Sequence, residues 1–139
     1  MGVFAAKRNI EVMTKFNTNY ELISRILEDQ KRDIRIINEL LRDDSNMTTE
    51  DLIKIHMLSM SINKFLNPIA TLIAVIIEDK ETMMAMIESE AINPNVGYQS
   101  LSTMTNKITT IKNSMARVLE NLNFINERLL MKKQVDIIH

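Results

Sequence analysis

The chain has no cysteine, no tryptophan, two glycines and two prolines in 139 residues. The lack of cysteine excludes disulfides, thiolate metal sites and cysteine nucleophiles. Glycine occurs only at positions 2 and 97, which excludes the glycine-rich loops that hold nucleotide phosphates. Because tight turns depend on glycine and proline, their scarcity argues against a sandwich or barrel of many short strands. The composition favours an all-α protein.

Groups for catalysis or metal binding are equally scarce. His56 and His139 are the only histidines, and His56 has no acidic residue four positions away on either side with which to form a helical ligand pair. The acidic cluster Glu78, Asp79 and Glu81 lacks the pattern of a calcium loop, so we interpret it as a solvated helix surface. We therefore expect no enzyme activity, no metal or other cofactor and no small-molecule substrate.

The longest apolar run, Leu66 to Ile77, is shorter than the roughly 20 residues that cross a bilayer, and Asn67 and Pro68 interrupt it. The first residues do not resemble a signal peptide, which begins with a charged segment and continues with a long apolar one. We expect a soluble protein that does not use a membrane and is cytoplasmic or otherwise intracellular.

What the chain does have is apolar spacing of alternating three and four residues, which places side chains on one stripe of a helix. It occurs in three tracts. The first stripe is Met13, Phe16, Tyr20, Ile23, Leu27, Gln30, Ile34, Ile37 and Leu41, with Gln30 as a polar interruption. The second is Leu52, Ile55, Leu58, Ile62, Phe65, Ile69, Leu72 and Ile76. The third is Leu101, Met104, Ile108, Ile111, Met115, Val118, Leu122, Ile125 and Leu129. These stripes predict a bundle of long helices.

Polar segments separate the tracts. Residues 43–46 form a polar break, and Thr48 to Asp51 has the pattern of a capping box that begins the second tract. Asn93 to Gly97 holds one proline and one glycine and is predicted to be a loop.

Two interior positions predict further helix ends. Thr18 to Glu21 also has the pattern of a capping box, so residues 1–17 are predicted to be a separate N-terminal helix or arm and residues 18–139 a single helical-bundle domain. Pro68 lacks an amide donor, so the second tract either kinks there or ends at Asn67, and we favour the end. The prediction is then four to five helices. Leu66 to Ile77 is apolar around most of its circumference, which is typical of a buried central helix.

Methionine is unusually frequent in this chain, with eleven residues. Its flexible thioether fills irregular cores and also serves surfaces that adapt to partners. The predicted protein interface consists of apolar residues at the end of the second tract and in the third: Met83, Met84, Met86, Ile87, Met104, Ile108 and Met115.

A mildly basic flank accompanies the third stripe and consists of Arg117, Asn121, Arg128 and Lys132. Such side chains could track the phosphates of a nucleic acid. A net charge of −1 and an aromatic content of 4% argue against this, since nucleic-acid-binding domains are usually basic and single-strand platforms use aromatic rings.

The sequence therefore predicts a non-enzymatic helical interaction or assembly protein that forms a homo-oligomer or binds another helical protein, as heptad stripes often do in coiled-coil bundles. The alternative is an oligomeric nucleic-acid-binding adaptor or regulator, such as a small DNA-packaging subunit, acting through the basic flank. Abundant asparagine and isoleucine are compatible with an AT-rich viral or phage genome, which would place the protein in the host cytoplasm.

Overall fold

A computed structural model describes the backbone of residues 2–42 and 46–138, and the side chains of residues 7–42 and 46–131. Three long helices make up the described chain: α1 (Gly2–Arg42), α2 (Thr49–Glu88) and α3 (Pro94–Ile138). The all-α class and the bundle of long helices are confirmed. Each helix contains one of the three apolar stripes.

The start of α2 matches the predicted capping box. The hydroxyl of Thr48 accepts a hydrogen bond from the amide of Asp51 at 3.1 Å, and the carboxylate of Asp51 accepts one from the amide of Thr48, also at 3.1 Å. These bonds satisfy two of the amides that a helix start leaves without partners.

The start of α3 corrects the predicted loop at 93–97. Asn93 caps the helix by accepting from the amide of Asn95 at 2.9 Å, and Pro94 is the first helical residue. Proline is well suited to this position because its missing amide would have no helical partner there. The helix thus begins inside the segment that was predicted to be a loop.

The end of α2 contains a residue in a strained conformation. Glu90 has a φ of 57°, the left-handed region that usually requires glycine. The amide of Glu90 donates to the carbonyl of Ile87 at 3.1 Å and that of Ala91 to the carbonyl of Met86 at 3.0 Å. This is the Schellman arrangement, in which the left-handed position strongly favours glycine.

We expect Glu90→Gly to raise the free energy of unfolding by about 1 kcal/mol, because glycine adopts this conformation without steric strain. Chemical denaturation followed by circular dichroism measures the change. The control is Glu88→Gly, at the last residue of α2, which should lower stability by up to about 1 kcal/mol. Equal losses in both variants would contradict the assignment of strain to Glu90.

The described residues form two compact units. Unit 1 contains the chain up to Arg25 together with Asn67–Asn113. All three helices contribute to its core, which consists of Phe16, Ile23, Ile69, Ile76, Met83, Met86, Ile92, Met104, Ile108 and Ile111. Asp79 is also buried there, at 5% exposure, and pairs with Lys15 at 3.3 Å. The prediction that this carboxylate belongs to a solvated surface was wrong.

Unit 2 contains Ile26–Leu66 and the chain from Ser114 onward. Its core consists of Leu27, Ile34, Ile37, Leu41, Ile55, Ile62, Val118, Leu122 and Ile125. Gln30 is buried among them at 2% exposure and donates to the carbonyl of Ile62 at 3.1 Å. A polar side chain in a heptad core favours one register over others, because a shifted register would leave it without its partner.

The two predicted interior helix ends were wrong. Helix α1 continues through Thr18, whose hydroxyl donates back to the carbonyl of Thr14 at 2.9 Å instead of capping a new helix. Helix α2 continues through Pro68. Pro68 has no amide hydrogen to donate to the carbonyl of Lys64. Both residues are exposed, so water can donate a hydrogen bond to that carbonyl instead. The described chain has three helices and not four or five.

The prediction of a buried central helix was also wrong. Within Leu66 to Ile77 only Ile69 and Ile76 are buried, while Ala70 and Ala74 are exposed. A segment packed with two others is covered on the side that faces them and stays open on its remaining side. The sequence shows that this segment is apolar on most sides, but it does not show how many of those sides are covered by other helices.

Candidate interaction surfaces

Helix α2 buries one column of side chains along its length, together with Ser59, Asp79 and Met86 beside it. The fully enclosed members follow each other at intervals of seven and are Ile55, Ile62, Ile69, Ile76 and Met83. The predicted stripe of the second tract includes the four isoleucines of this column. The other members of the stripe are half-buried at Leu52, Leu58 and Leu72 and exposed at Phe65. The second tract therefore has more apolar surface than its core uses.

The side of α2 opposite the buried column is open, and we call it the outer face. Its members follow at three- and four-residue spacing and are all exposed. In unit 2 they are Met57, Met60 and Lys64, and in unit 1 they are Asn67, Thr71, Ala74, Glu78 and Glu81.

The outer face lacks charge where a solvated helix would carry it. No charged residue occurs in the thirteen positions 65–77, whereas the exposed side of an amphipathic helix is normally charged or polar. Met57 and Met60 are 65% and 59% exposed. Exposed apolar side chains beside an uncharged stretch are typical of interaction sites, which makes the outer face a candidate interaction surface.

Helix α2 is also long and apolar enough to cross a membrane, by length and composition alone. Only 17% of the apolar window that meets this test is buried, whereas the core helix of a globular protein would be mostly buried. The apolarity of α2 is therefore not explained by its own core.

The charges that flank the outer face have opposite signs. Lys64 precedes the uncharged stretch, and Glu78 and Glu81 follow it. Within the described residues none of these three side chains forms an ion pair. They are available to a partner.

The seven residues of the predicted protein interface lie mainly inside unit 1. Met83, Met86, Met104 and Ile108 are buried in its core. Ile87 is half-buried there, Met115 is half-buried in unit 2, and Met84 is 41% exposed. Core filling accounts for the buried members, which leaves Met84 with the most open surface of the set.

Two residues of the predicted basic flank line a groove in unit 2. Arg117 and Asn121 of α3 lie across from Lys31, Arg35 and Asn38 of α1, around a space of about 440 Å³. Glu28 also lines the groove, and Ile34 and Val118 form its buried floor. The contributions from α1 were missed because sequence spacing does not show which helices are neighbours.

The other two members of the flank are placed differently. Arg128 donates to the carbonyl of Leu41 at 2.9 Å, near the last turn of α1, where a cation stabilises the helix end. The side chain of Lys132 lies outside the described residues. Arg128 is thus a cap within unit 2.

Among the described residues, no three His, Asp or Glu side chains lie together as metal ligands, and His56 is exposed. Burial raises the pKa of Asp33 above its ordinary value, with nearby Arg32 opposing the shift and Asp29 adding to it. Asp33 lines a separate cavity of about 170 Å³ between α1 and α2 in unit 2.

Comparisons of the chain with protein-family models, with characterised proteins and with solved structures found no match.

Proposed function

We propose that this protein is a non-enzymatic assembly protein and that it self-associates through the outer face of α2. The observation that carries the proposal is the uncharged stretch at positions 65–77, which encloses only Ile69 and Ile76 and leaves Asn67, Thr71 and Ala74 of the outer face exposed. Covering this stretch removes apolar surface from water, at about 25 cal/mol for each Å² of apolar area.

The charges favour a second copy of the chain as the occupant. Two α2 helices that run antiparallel, centred near Thr71, bring Lys64 of each copy to Glu78 of the other. The numbering is symmetric about that centre, since both residues lie seven positions from Thr71. Parallel pairing would instead place lysine on lysine and glutamate on glutamate. An antiparallel pair has twofold symmetry, the commonest symmetry of homo-oligomers.

The same pairing places the apolar end of the outer face against the methionine-containing end of α2. Met57 and Met60 of one copy come opposite positions 82–85 of the other copy, which include Met84. Methionine side chains adapt to irregular surfaces because they are unbranched and flexible. Ala70 and Ala74 near the centre allow two helix backbones to approach closely.

A bilayer is a less suitable occupant. Helix α2 as a whole is long enough to span a bilayer, but its uncharged stretch between Lys64 and Glu78 has thirteen residues. A span of about 20 residues would therefore place charged side chains in the lipid. Asn67 and Thr71 on the outer face would also face lipid, where polar side chains are unfavourable.

The orientation is tested with Lys64→Glu, Glu78→Lys and the double variant. In the antiparallel pair each single change places two like charges together twice, so we expect roughly tenfold weaker association. The double variant restores opposite charges and should associate like the unmodified chain. Sedimentation equilibrium measures the constants, and added salt should reduce the differences.

Parallel pairing predicts that the three variants associate about as well as the unmodified chain, because its like-charge contacts persist in all of them. A double variant as weak as the singles would also contradict the antiparallel pairing. Flotation of the unmodified chain with phosphatidylcholine vesicles would overturn self-association in favour of a membrane.

A further inference from the structure

A groove in unit 2 is separate from the outer face of α2. The groove between α1 and α3 in unit 2 is lined by three cationic side chains and one carboxylate. The carboxylate, Glu28, already pairs with Lys31 at 3.3 Å. The two guanidinium groups, Arg35 and Arg117, carry the remaining positive charge.

Four polar side chains at the groove have no partner within the described part of the chain. Arg35 and Arg117 form no ion pair there, and Asn38 and Asn121 form no side-chain hydrogen bond. Arg35 and Asn38 lie on α1, on one side of the groove, and Arg117 and Asn121 lie on α3, on the other side. The groove thus presents hydrogen-bond donors from both sides.

The donors determine the chemistry of a ligand. Arginine has five N–H donors and no acceptor, so its partner must be rich in acceptors and negatively charged. A carboxylate offers two oxygens in one plane, whereas a terminal phosphate offers three unesterified oxygens in different directions and a backbone phosphodiester offers two. A guanidinium can bind a phosphate through two parallel bonds, so two guanidinium groups on opposite helices favour phosphate as the ligand.

We propose that this groove binds phosphate groups, with Arg35 and Arg117 as the principal ligands and Asn38 and Asn121 as additional donors. The phosphate could belong to a small ligand or to the backbone of a nucleic acid, since both present anionic oxygens to the two arginines. The site does not depend on self-association, because all its residues lie in unit 2 of one chain.

The test follows the side-chain amide signals of Asn38 and Asn121 by ¹H–¹⁵N NMR during titration. The probes are inorganic pyrophosphate, a short DNA duplex and, as a carboxylate control, citrate. We expect both amide signals to shift with at least one phosphate probe and to shift less with citrate. Pyrophosphate alone would identify a small phosphate ligand, and the duplex alone a nucleic-acid backbone, with affinity falling steeply as salt rises.

Arg35→Gln and Arg117→Gln should each weaken binding roughly tenfold, since each removes one charged two-bond contact. Both arginines are exposed, so the thermal melt should not change. Arg32→Gln is the matched control, because Arg32 is on the same helix but pairs with Asp29 and lines the other cavity. Unchanged signals with both phosphate probes, an equal response to citrate, or equal losses with Arg32→Gln would overturn the proposal.

Discussion

Ala74→Arg is expected to abolish self-association at concentrations where the unmodified chain is oligomeric. Ala74 lies near the centre of the outer face and is exposed. In the antiparallel pair an arginine there would separate the helices and bury a charge without a partner. We expect at least a roughly hundredfold weaker association constant, measured by sedimentation equilibrium. The fold of the single chain should persist, because arginine is a good helix former and the position faces solvent.

Ala116→Arg provides the matched control. Ala116 is an exposed alanine on α3, so the substitution adds the same side chain and charge to a helix outside the proposed interface. It should leave the association constant unchanged. Equal weakening by both substitutions would indicate a general effect of charge, and no weakening by Ala74→Arg would place the interface elsewhere.

Ile62→Ala is expected to lower the free energy of unfolding by about 3 kcal/mol, the usual result of removing a large buried aliphatic side chain. Ile62 is fully enclosed in unit 2, in the column that α2 buries every seven residues. The loss combines the transfer free energy of the removed carbons with the cavity that remains. Chemical denaturation followed by circular dichroism measures it.

Ile53→Ala makes the same chemical change on the same helix at a position that is 55% exposed. It should change stability by less than about 0.5 kcal/mol, as is usual for surface substitutions. Similar losses at both positions would contradict the assignment of the buried column to Ile62. Denaturation at low protein concentration keeps the effect of self-association out of both measurements.

Much of the fold follows from the spacing of apolar residues. The stripes of α1 and α3 match the buried residues closely, including Gln30, which is buried at its heptad position. The capping box at Thr48 also formed as predicted. These features are local or periodic, so neighbours along the chain determine them.

Features that depend on tertiary surroundings were not predictable in the same way. Thr18 to Glu21 has the same pattern as the box at Thr48, yet α1 continues through it. The packing of a long stripe on both sides of that point outweighs a local cap worth about 1 kcal/mol. Asp79 is buried and pairs with Lys15 on another helix, and spacing along the chain does not show which helix a side chain meets.

The candidate surfaces show the same limit. Arg117 and Asn121 were recognised as one flank, but the groove became visible only when α1 supplied Arg35 and Asn38. The apolar circumference of α2 was evident from the sequence and was interpreted as burial. The structure shows instead that one side of that circumference is exposed, and this exposure is the basis of the proposed assembly.

Sedimentation equilibrium of the unmodified chain over a wide range of concentrations tests the central claim most directly. Self-association through the outer face predicts a mass of at least twice the 16.1 kDa of one chain at tens of micromolar, falling towards the monomer on dilution. A mass that remains at 16.1 kDa at every concentration would contradict it.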